Sequence, residues 1–390
     1  MVKNSPPKIA IVHDWLTNKA GAENVVLALH KAFPGAPVYT SVYTPEKMPD
    51  FKNIDVRTTY LQKMPRPLRS LHKFFPYLRV RAFRSLDLSA YDVIISSSSA
   101  EAKQVRKSRP DQLHICYCHT PIRYYWSHYR EYKKDPGFGK FNWLVRLAMP
   151  LMVPSLKKAD YRAAQDVDMF LANSTEVQKR IQRYYKQPST VLHPPVDVQR
   201  FTPQKTRGEY FVALGRQVPY KRIDLAVQAC SELGVPLKVF GSGSEHERLV
   251  AMAGLNVEFF SNRTGDASDV AVARALESAK GFIFPAEEDF GIVPVEAMAA
   301  GAPVIAYGYG GVLDSVTNGE TGVLFENQTV ESLKAALQKF ETEKFLVTVL
   351  RNRAKRFDES LFVMKIQNIV ERAWQRTQKE KGTDNGTYRN

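Results

Sequence analysis

Short apolar runs alternate with amphipathic stretches along almost the whole chain. The first, KIAIVHDWL, leads through TNKAGAE into the helical NVVLALHKAF. Further strand candidates are PVYTSVY, DVIISSSS, LHICYC, MFLANS and STVLHPPV; after His193-Pro194-Pro195 the pattern restarts with YFVALG, LKVFGSGS, NVEFFS, GFIFPA and APVIAYG. Brief β-rich runs separated by helical segments predict an α/β fold, with parallel sheets joined by crossover helices. The double proline fixes two φ angles and restricts the residue before it, so it reads as a stiff linker. The expected domains are therefore 1–195 and 196–360, followed by an amphipathic helix at about 361–376 and a polar, frayed tail over 377–390.

Length and composition agree with two domains. At ~150 residues per domain, 390 residues exceed one ordinary core. With 44% hydrophobic and 24% charged residues, the chain reads as soluble and globular. Cys116 and Cys118 alternate within a strand candidate and lack the second ligand pair a zinc site needs, so a reducing, cytoplasmic compartment is expected. The apolar run Ile9 to Val12 is too short for a signal peptide. The stretch FNWLVRLAMPLMVPSL, interrupted by Arg146, Pro150 and Pro154, is too short to span a bilayer.

A formal charge of +15 calls for an anionic partner. Residues 57–84 concentrate it: Arg57, Lys63, Arg66, Arg69, Lys73, Arg79, Arg81 and Arg84 occur with no acid, among Leu61, Leu68, Phe74, Tyr77 and Phe83. That mixture suits the face of an anionic bilayer, and equally a solvated basic face whose apolar residues turn into a core. No helix-turn-helix, RNP or zinc-finger spacing appears, so nucleic acid is not expected.

The most informative run is EEDFGIVPVEAMAAGAPVIAYGYGG, from Glu287 to Gly311. It sets Glu288 before, and Glu296 in the first turn of, a helix opened by Gly291, where unpaired amides face any anion above them. The pair fits a phosphorylated, hydroxyl-rich ligand, although Glu296 could also serve the helix dipole and Glu288 be a solvated loop charge. Arg216 and Lys221 follow the strand FVALG, at the carboxyl edge where parallel sheets bind ligands. Cations there match a nucleoside diphosphate leaving group, on which charge grows as a glycosidic bond breaks. Gly21 sits at a strand-to-helix turn, and Gly241-Ser242-Gly243 forms a second glycine turn at a strand edge. His119, after the strand HICYC, is at another carboxyl edge; a lone histidine there is also compatible with a structural role.

Taken together, HDWLTNKAGAE, CHTPIRYYW, FLANSTEV, VLHPPVDVQRF, LGRQVPYKRIDLAVQA, VFGSGSE and EDFGIVPVEAMAAGAPVIA, followed by GGVLDSV and TGVLF, resemble the retaining glycosyltransferases of family 4. The resemblance implies a GT-B fold, two Rossmann-like domains facing a central cleft, with the helix near 361–376 returning to the first. It implies that Arg216 and Lys221 hold the donor diphosphate and that the Gly21 amide approaches its β-phosphate. It further implies that Glu288 faces the donor sugar hydroxyls and Glu296 the ribose. Backbone at Phe290, Gly291, Ile292 and Val293 would line sugar and phosphate, with Gly241 and Gly243 counted among the donor-binding residues, and His119 would stand beside the transferred sugar. Ala20 replaces one of the two glycines common in the family's first loop. No Asp-x-Asp metal clamp appears at the expected chemistry, which implies a metal-independent hexosyltransferase without a cofactor. CHTPIRYYW resembles versions in mannosyltransferases of bacterial surface polysaccharides. The implied donor is GDP-mannose, with a UDP-hexose as alternative, and the implied acceptor is a glycan or polyprenyl-linked sugar. The implied location is peripheral, at the inner face of the plasma membrane. A hydrolysing nucleotide-sugar epimerase shares the fold and would turn over donor with no acceptor present.

Overall fold

The computed structural model describes residues 6–18, 20–134, 139, 142–261 and 268–384; residues 385–390 of the expected tail lie outside them. The apolar runs are buried on both faces, as strands covered by helices on each side must be. In the first sheet these are β1 (Ile9–His13), β2 (Val38–Thr40), β3 (Val56–Thr58), β4 (Val93–Ser98), β5 (Leu113–Cys118), β6 (Met169–Ala172) and β7 (Ser189–Val191). All pairs are parallel, in the order β3-β2-β1-β4-β5-β6-β7. The second sheet holds β8 (Phe211–Leu214), β9 (Leu237–Phe240), β10 (Val257–Phe260), β11 (Gly281–Phe284), β12 (Val304–Tyr307) and β13 (Gly322–Phe325). It is also wholly parallel, ordered β10-β9-β8-β11-β12-β13. Strands β3 and β13 add to those expected from the pattern.

Each sheet reverses its strand order once, between β1 and β4 in the first and between β8 and β11 in the second. Connections there leave in opposite directions and open a crevice at the carboxyl ends of the strands, where ligands of such sheets bind. The chain divides into two compact units, one running to His193 and resuming at Phe362, the other Pro194–Leu361.

The last helix, Glu359–Asp384, continues past 376 through much of the segment expected as a frayed tail. Phe362, Ile366, Val370 and Trp374 recur every four residues on it, and all are buried in the cluster that holds Val25, Leu29 and Tyr117. Burying each such side chain stabilises the unit by ~1.5–3 kcal/mol.

The basic stretch 57–84 divides between inside and outside. Leu61 and Phe83 are core residues, and the buried Arg79 guanidinium donates to both oxygens of Glu101, at 2.7 and 3.0 Å. Leu68, Leu71, Tyr77 and Leu78 stay exposed. A larger apolar ridge lies elsewhere, on the helix Asn142–Gln165, where Trp143, Leu144, Leu147 and Leu151 face solvent. The Tyr77 hydroxyl contacts Ser155 of that helix, so the two surfaces adjoin. No helix of the described residues is long and apolar enough to cross a membrane.

His114 on β5 is buried, with Nε2 2.8 Å from the Ser96 hydroxyl and no partner for Nδ1. Burial pushes its pKa down to about 4, with Asp168 opposing and Lys107 assisting. The folded state therefore refuses a proton that the unfolded chain takes up below pH ~6.5, and stability falls as pH drops from there towards 4, by up to ~3 kcal/mol. Thermal unfolding followed between pH 7 and 4 should show this decline. It should be shallower in His114→Gln, and equal slopes in the two proteins would assign the decline to other groups.

Candidate active site

The switch point of the second sheet gathers charge. Lys221 ends the turn after β8 and Glu288 lies in the loop after β11; the ammonium and carboxylate form an ion pair, both half-buried. Arg222 continues the chain with φ +51°, a left-handed conformation uncommon for a side chain this large. That bend separates Lys221 from the helix Ile223–Leu233. Arg216 is exposed, its guanidinium donating to the Tyr220 hydroxyl at 2.6 Å. The loop bearing Arg216 is fixed from beneath: Gln217 donates its amide to the Ser242 carbonyl and its side-chain Nε2 to the Gly241 carbonyl, both at 2.9 Å. A Cβ at Gly241 would fall 2.1 Å from the Gly215 oxygen, and one at Gly243 2.1 Å from the Gln217 oxygen. These glycines therefore let two strand-end loops meet.

Glu288 is placed in the same way. The Gly311 amide donates to the Glu288 carbonyl at 2.9 Å, and a Cβ on Gly311 would sit 2.0 Å from the Asp289 oxygen. Gly291, at φ +84°, opens the helix Ile292–Ala299. With Pro294 lacking an N–H, the amides of Ile292 and Val293 are the donors its first turn offers an anion. The Phe290 ring turns inward against Phe357, leaving its backbone to the loop. Glu296 is the fifth residue of the helix, just past the first turn expected for it, because the helix begins at Ile292. Its carboxylate pairs with Arg200 at 2.7 Å, not with the Lys221 cluster. Burial raises its pKa, as do Asp269 and Asp197, while Arg200 opposes them.

In the first unit, Gly21 begins the helix Gly21–Ala32, and Glu23 in its first turn accepts the Ala20 amide at 2.9 Å. His13 ends β1 beside it, with Nε2 3.8 Å from Glu23 and Nδ1 3.1 Å from the Ser97 carbonyl. His119 is half-buried just beyond β5, with Nε2 2.8 Å from the Ser97 hydroxyl and its ring edge-on to Tyr117. Burial and the neighbouring His13 push its pKa down to about 3. Asp14, fully buried after β1, accepts the amides of Ser99, Ala100 and Ala102 at 2.7 to 2.9 Å and the Ser99 hydroxyl at 3.0 Å.

The structure thus joins Lys221 to Glu288 and leaves Arg216 and Glu296 with other partners. It adds His13, Asp14, Glu23, Ser97 and Arg200, none of which the motifs singled out. A signal for most of these was present, since HDW and SSSS place polar groups at the ends of apolar parallel strands, where nothing about packing requires them.

Two parallel, doubly wound units with charged groups at their switch points define a GT-B architecture. Among solved structures, the chain is similar to a sucrose-phosphate synthase from Thermosynechococcus elongatus (TM-score 0.69, 18% identity, covering 94% of this chain and 99% of that one). It is also similar to HepE of Anabaena in complex with UDP-glucose (TM-score 0.66, 16% identity, 94% and 100%). Residues 20–200 match the model of Glycosyltransferase Family 4 and residues 197–358 that of Glycosyl transferases group 1. The chain belongs to this glycosyltransferase family. Among curated relatives, D-inositol 3-phosphate glycosyltransferase of Rhodococcus erythropolis is 28% identical over 233 residues, 52% of each chain. The GDP-mannose-dependent alpha-(1-6)-phosphatidylinositol monomannoside mannosyltransferase of Mycolicibacterium smegmatis is 29% identical over 216 residues, 48% of this chain and 56% of that one. The chain spans about half the length of the curated relatives it matches.

The close approach at Gly243 generates a direct test. Gly243→Ala should cost roughly 1–3 kcal/mol, the usual penalty for overpacking, and denaturant unfolding measures that loss. A variant as stable as the parent would show that the two loops are not held in contact.

Proposed function

We propose that the protein is a retaining hexosyltransferase that moves mannose from GDP-mannose to a glycan or polyprenyl-linked acceptor in surface polysaccharide synthesis. The observation that carries this reading is the Lys221–Glu288 pair at the β8/β11 switch point, beside the uncapped amides of the Gly291 helix. When the bond between the anomeric carbon and the phosphate oxygen breaks, the electron pair stays on the β-phosphate. Lys221, Arg216 and the Ile292 and Val293 amides are the groups suited to that charge. Glu288, once its ammonium partner turns to phosphate, is left as an acceptor for sugar hydroxyls. Retention follows when the acceptor hydroxyl attacks from the face the phosphate leaves, giving its proton to the departing phosphate oxygen. Mannose rests on the CHTPIRYYW resemblance and the GDP-mannose-dependent relative. The HepE complex keeps a UDP-hexose as the second donor to test.

In this reading the cations replace a metal, and the enzyme works at the inner face of the plasma membrane. The exposed ridge of Trp143, Leu144, Leu147 and Leu151, adjoining the exposed part of 57–84, supports lipid contact better than 57–84 alone, because no acid precedes Asp160 on its helix.

Three measurements follow. Lys221→Ala should lower turnover by about 10²- to 10³-fold, the loss expected for one donor at a developing oxyanion; near-normal turnover in a folded variant would remove the assignment. EDTA should leave the rate unchanged, whereas inhibition reversed by Mg²⁺ would contradict the cation-only reading. The protein should co-sediment with phosphatidylglycerol vesicles and lose that binding in Leu147→Glu/Leu151→Glu. Absence from the pellet with the parent protein would reject the membrane contact.

A further inference from the structure

The polar groups behind His119 form a connected chain, and its hydrogen bonds allow one arrangement of protons. The Ser97 carbonyl only accepts, so His13 Nδ1, 3.1 Å away, carries a hydrogen. The same Nδ1 is 3.2 Å from the Ser97 hydroxyl oxygen, which lies 2.8 Å from His119 Nε2. Ser97 is fully buried, and these imidazoles are the partners of its hydroxyl. Because His13 Nδ1 is a donor, the hydroxyl proton has His119 Nε2 as its acceptor. At the far end, His13 Nε2 faces Glu23 Oε1 at 3.8 Å, while Glu23 Oε2 accepts the Ala20 amide.

We propose that Ser97 and His13, backed by Glu23, are positioning residues that hold His119 as a neutral imidazole with its proton on Nδ1. His119 then offers ligand a hydrogen-bond donor and takes no part in proton transfer. The sugar-facing role of that donor rests on the glycosyltransferase reading above; the proton placement does not. Charge argues the same way. The titratable groups around this chain are His13 and Asp14 on the β1 side, Glu23 on the helix and Tyr117 on β5. Burial lowers the pKa of His13, but Glu23, Asp14 and the Ser97 carbonyl more than compensate, so His13 holds its proton more readily than a free imidazole. A second imidazolium at His119, 6.4 Å from the His13 ring, would be repelled. The chain also ties the turn before Gly21 to His119, so the two expected ligand contacts of this unit are linked by hydrogen bonds at Ser97 and Ala20 and by the electrostatic contact of His13 with Glu23.

The test is nitrogen NMR of the full chain labelled at its eight histidines, with His119 assigned from the spectrum of His119→Gln. The expected result is a protonated Nδ1 and bare Nε2 on His119, unchanged between pH 8 and 5. A proton on Nε2, or titration of His119 near pH 6.5, would overturn the proposal. Ser97→Ala should let the Nε2–H tautomer appear and reduce kcat/KM about tenfold, and Ser97→Thr, which keeps the hydroxyl, should restore both. An unchanged tautomer and rate in a folded Ser97→Ala protein would also overturn it. Correct tautomers with no glycosyl transfer from any donor would refute the transferase reading alone and support the proton assignment.

Discussion

The carboxylate of Asp14 fixes the geometry on which the first unit depends. It is fully buried at the end of β1, and its two oxygens collect three backbone amides and a hydroxyl from the loop that leaves β4. β1 and β4 are the neighbours across which strand order reverses, so this one side chain sets the shape of the crevice floor. Hydrogen bonds to a charged group are the stronger kind, and removing the acceptor would strand several donors in a dry interior. Ser97, which orients both imidazoles, stands two residues before Ser99 in the segment Asp14 holds.

Further along that segment the same strategy recurs with full ion pairs. Glu101 meets Arg79 and also accepts the Tyr124 hydroxyl, and Lys103 meets Asp160, which accepts from Trp126 and Tyr185. Tyr124 and Trp126 belong to CHTPIRYYW, so that motif is partly a structural one: its aromatic hydroxyl and indole groups satisfy buried carboxylates. Pairs of this kind contribute little net stability compared with apolar packing, but each partner is costly to remove. They specify one conformation for loops that would otherwise have many.

Much of the fold was legible because parallel strands buried on both faces leave unbroken apolar runs, and the runs from IAIVH to VIAY show this plainly. β3 was harder to see since VRT is short and keeps Arg57 outside. The site was legible where chemistry and local geometry coincide, as at Gly291, whose positive φ and helix start both call for glycine. It was not legible where partners lie far apart in sequence. His13 and Ser97 are 84 residues apart, and Arg200 and Glu296 are 96 apart, so no local pattern announces either contact. The packing role of the glycines in GSG was hidden for the same reason, since the backbone oxygens that approach them belong to Gly215 and Gln217, more than twenty residues earlier.

The Lys221–Glu288 pair gives the ligand-free site an internal competitor. Any anion that arrives must offer the ammonium more than the carboxylate already does. An anion that also brings hydroxyl groups satisfies both partners of the opened pair, whereas a bare anion takes the ammonium and leaves the half-buried carboxylate alone. The pair therefore makes the site discriminate by what accompanies an anion, and not by its charge alone.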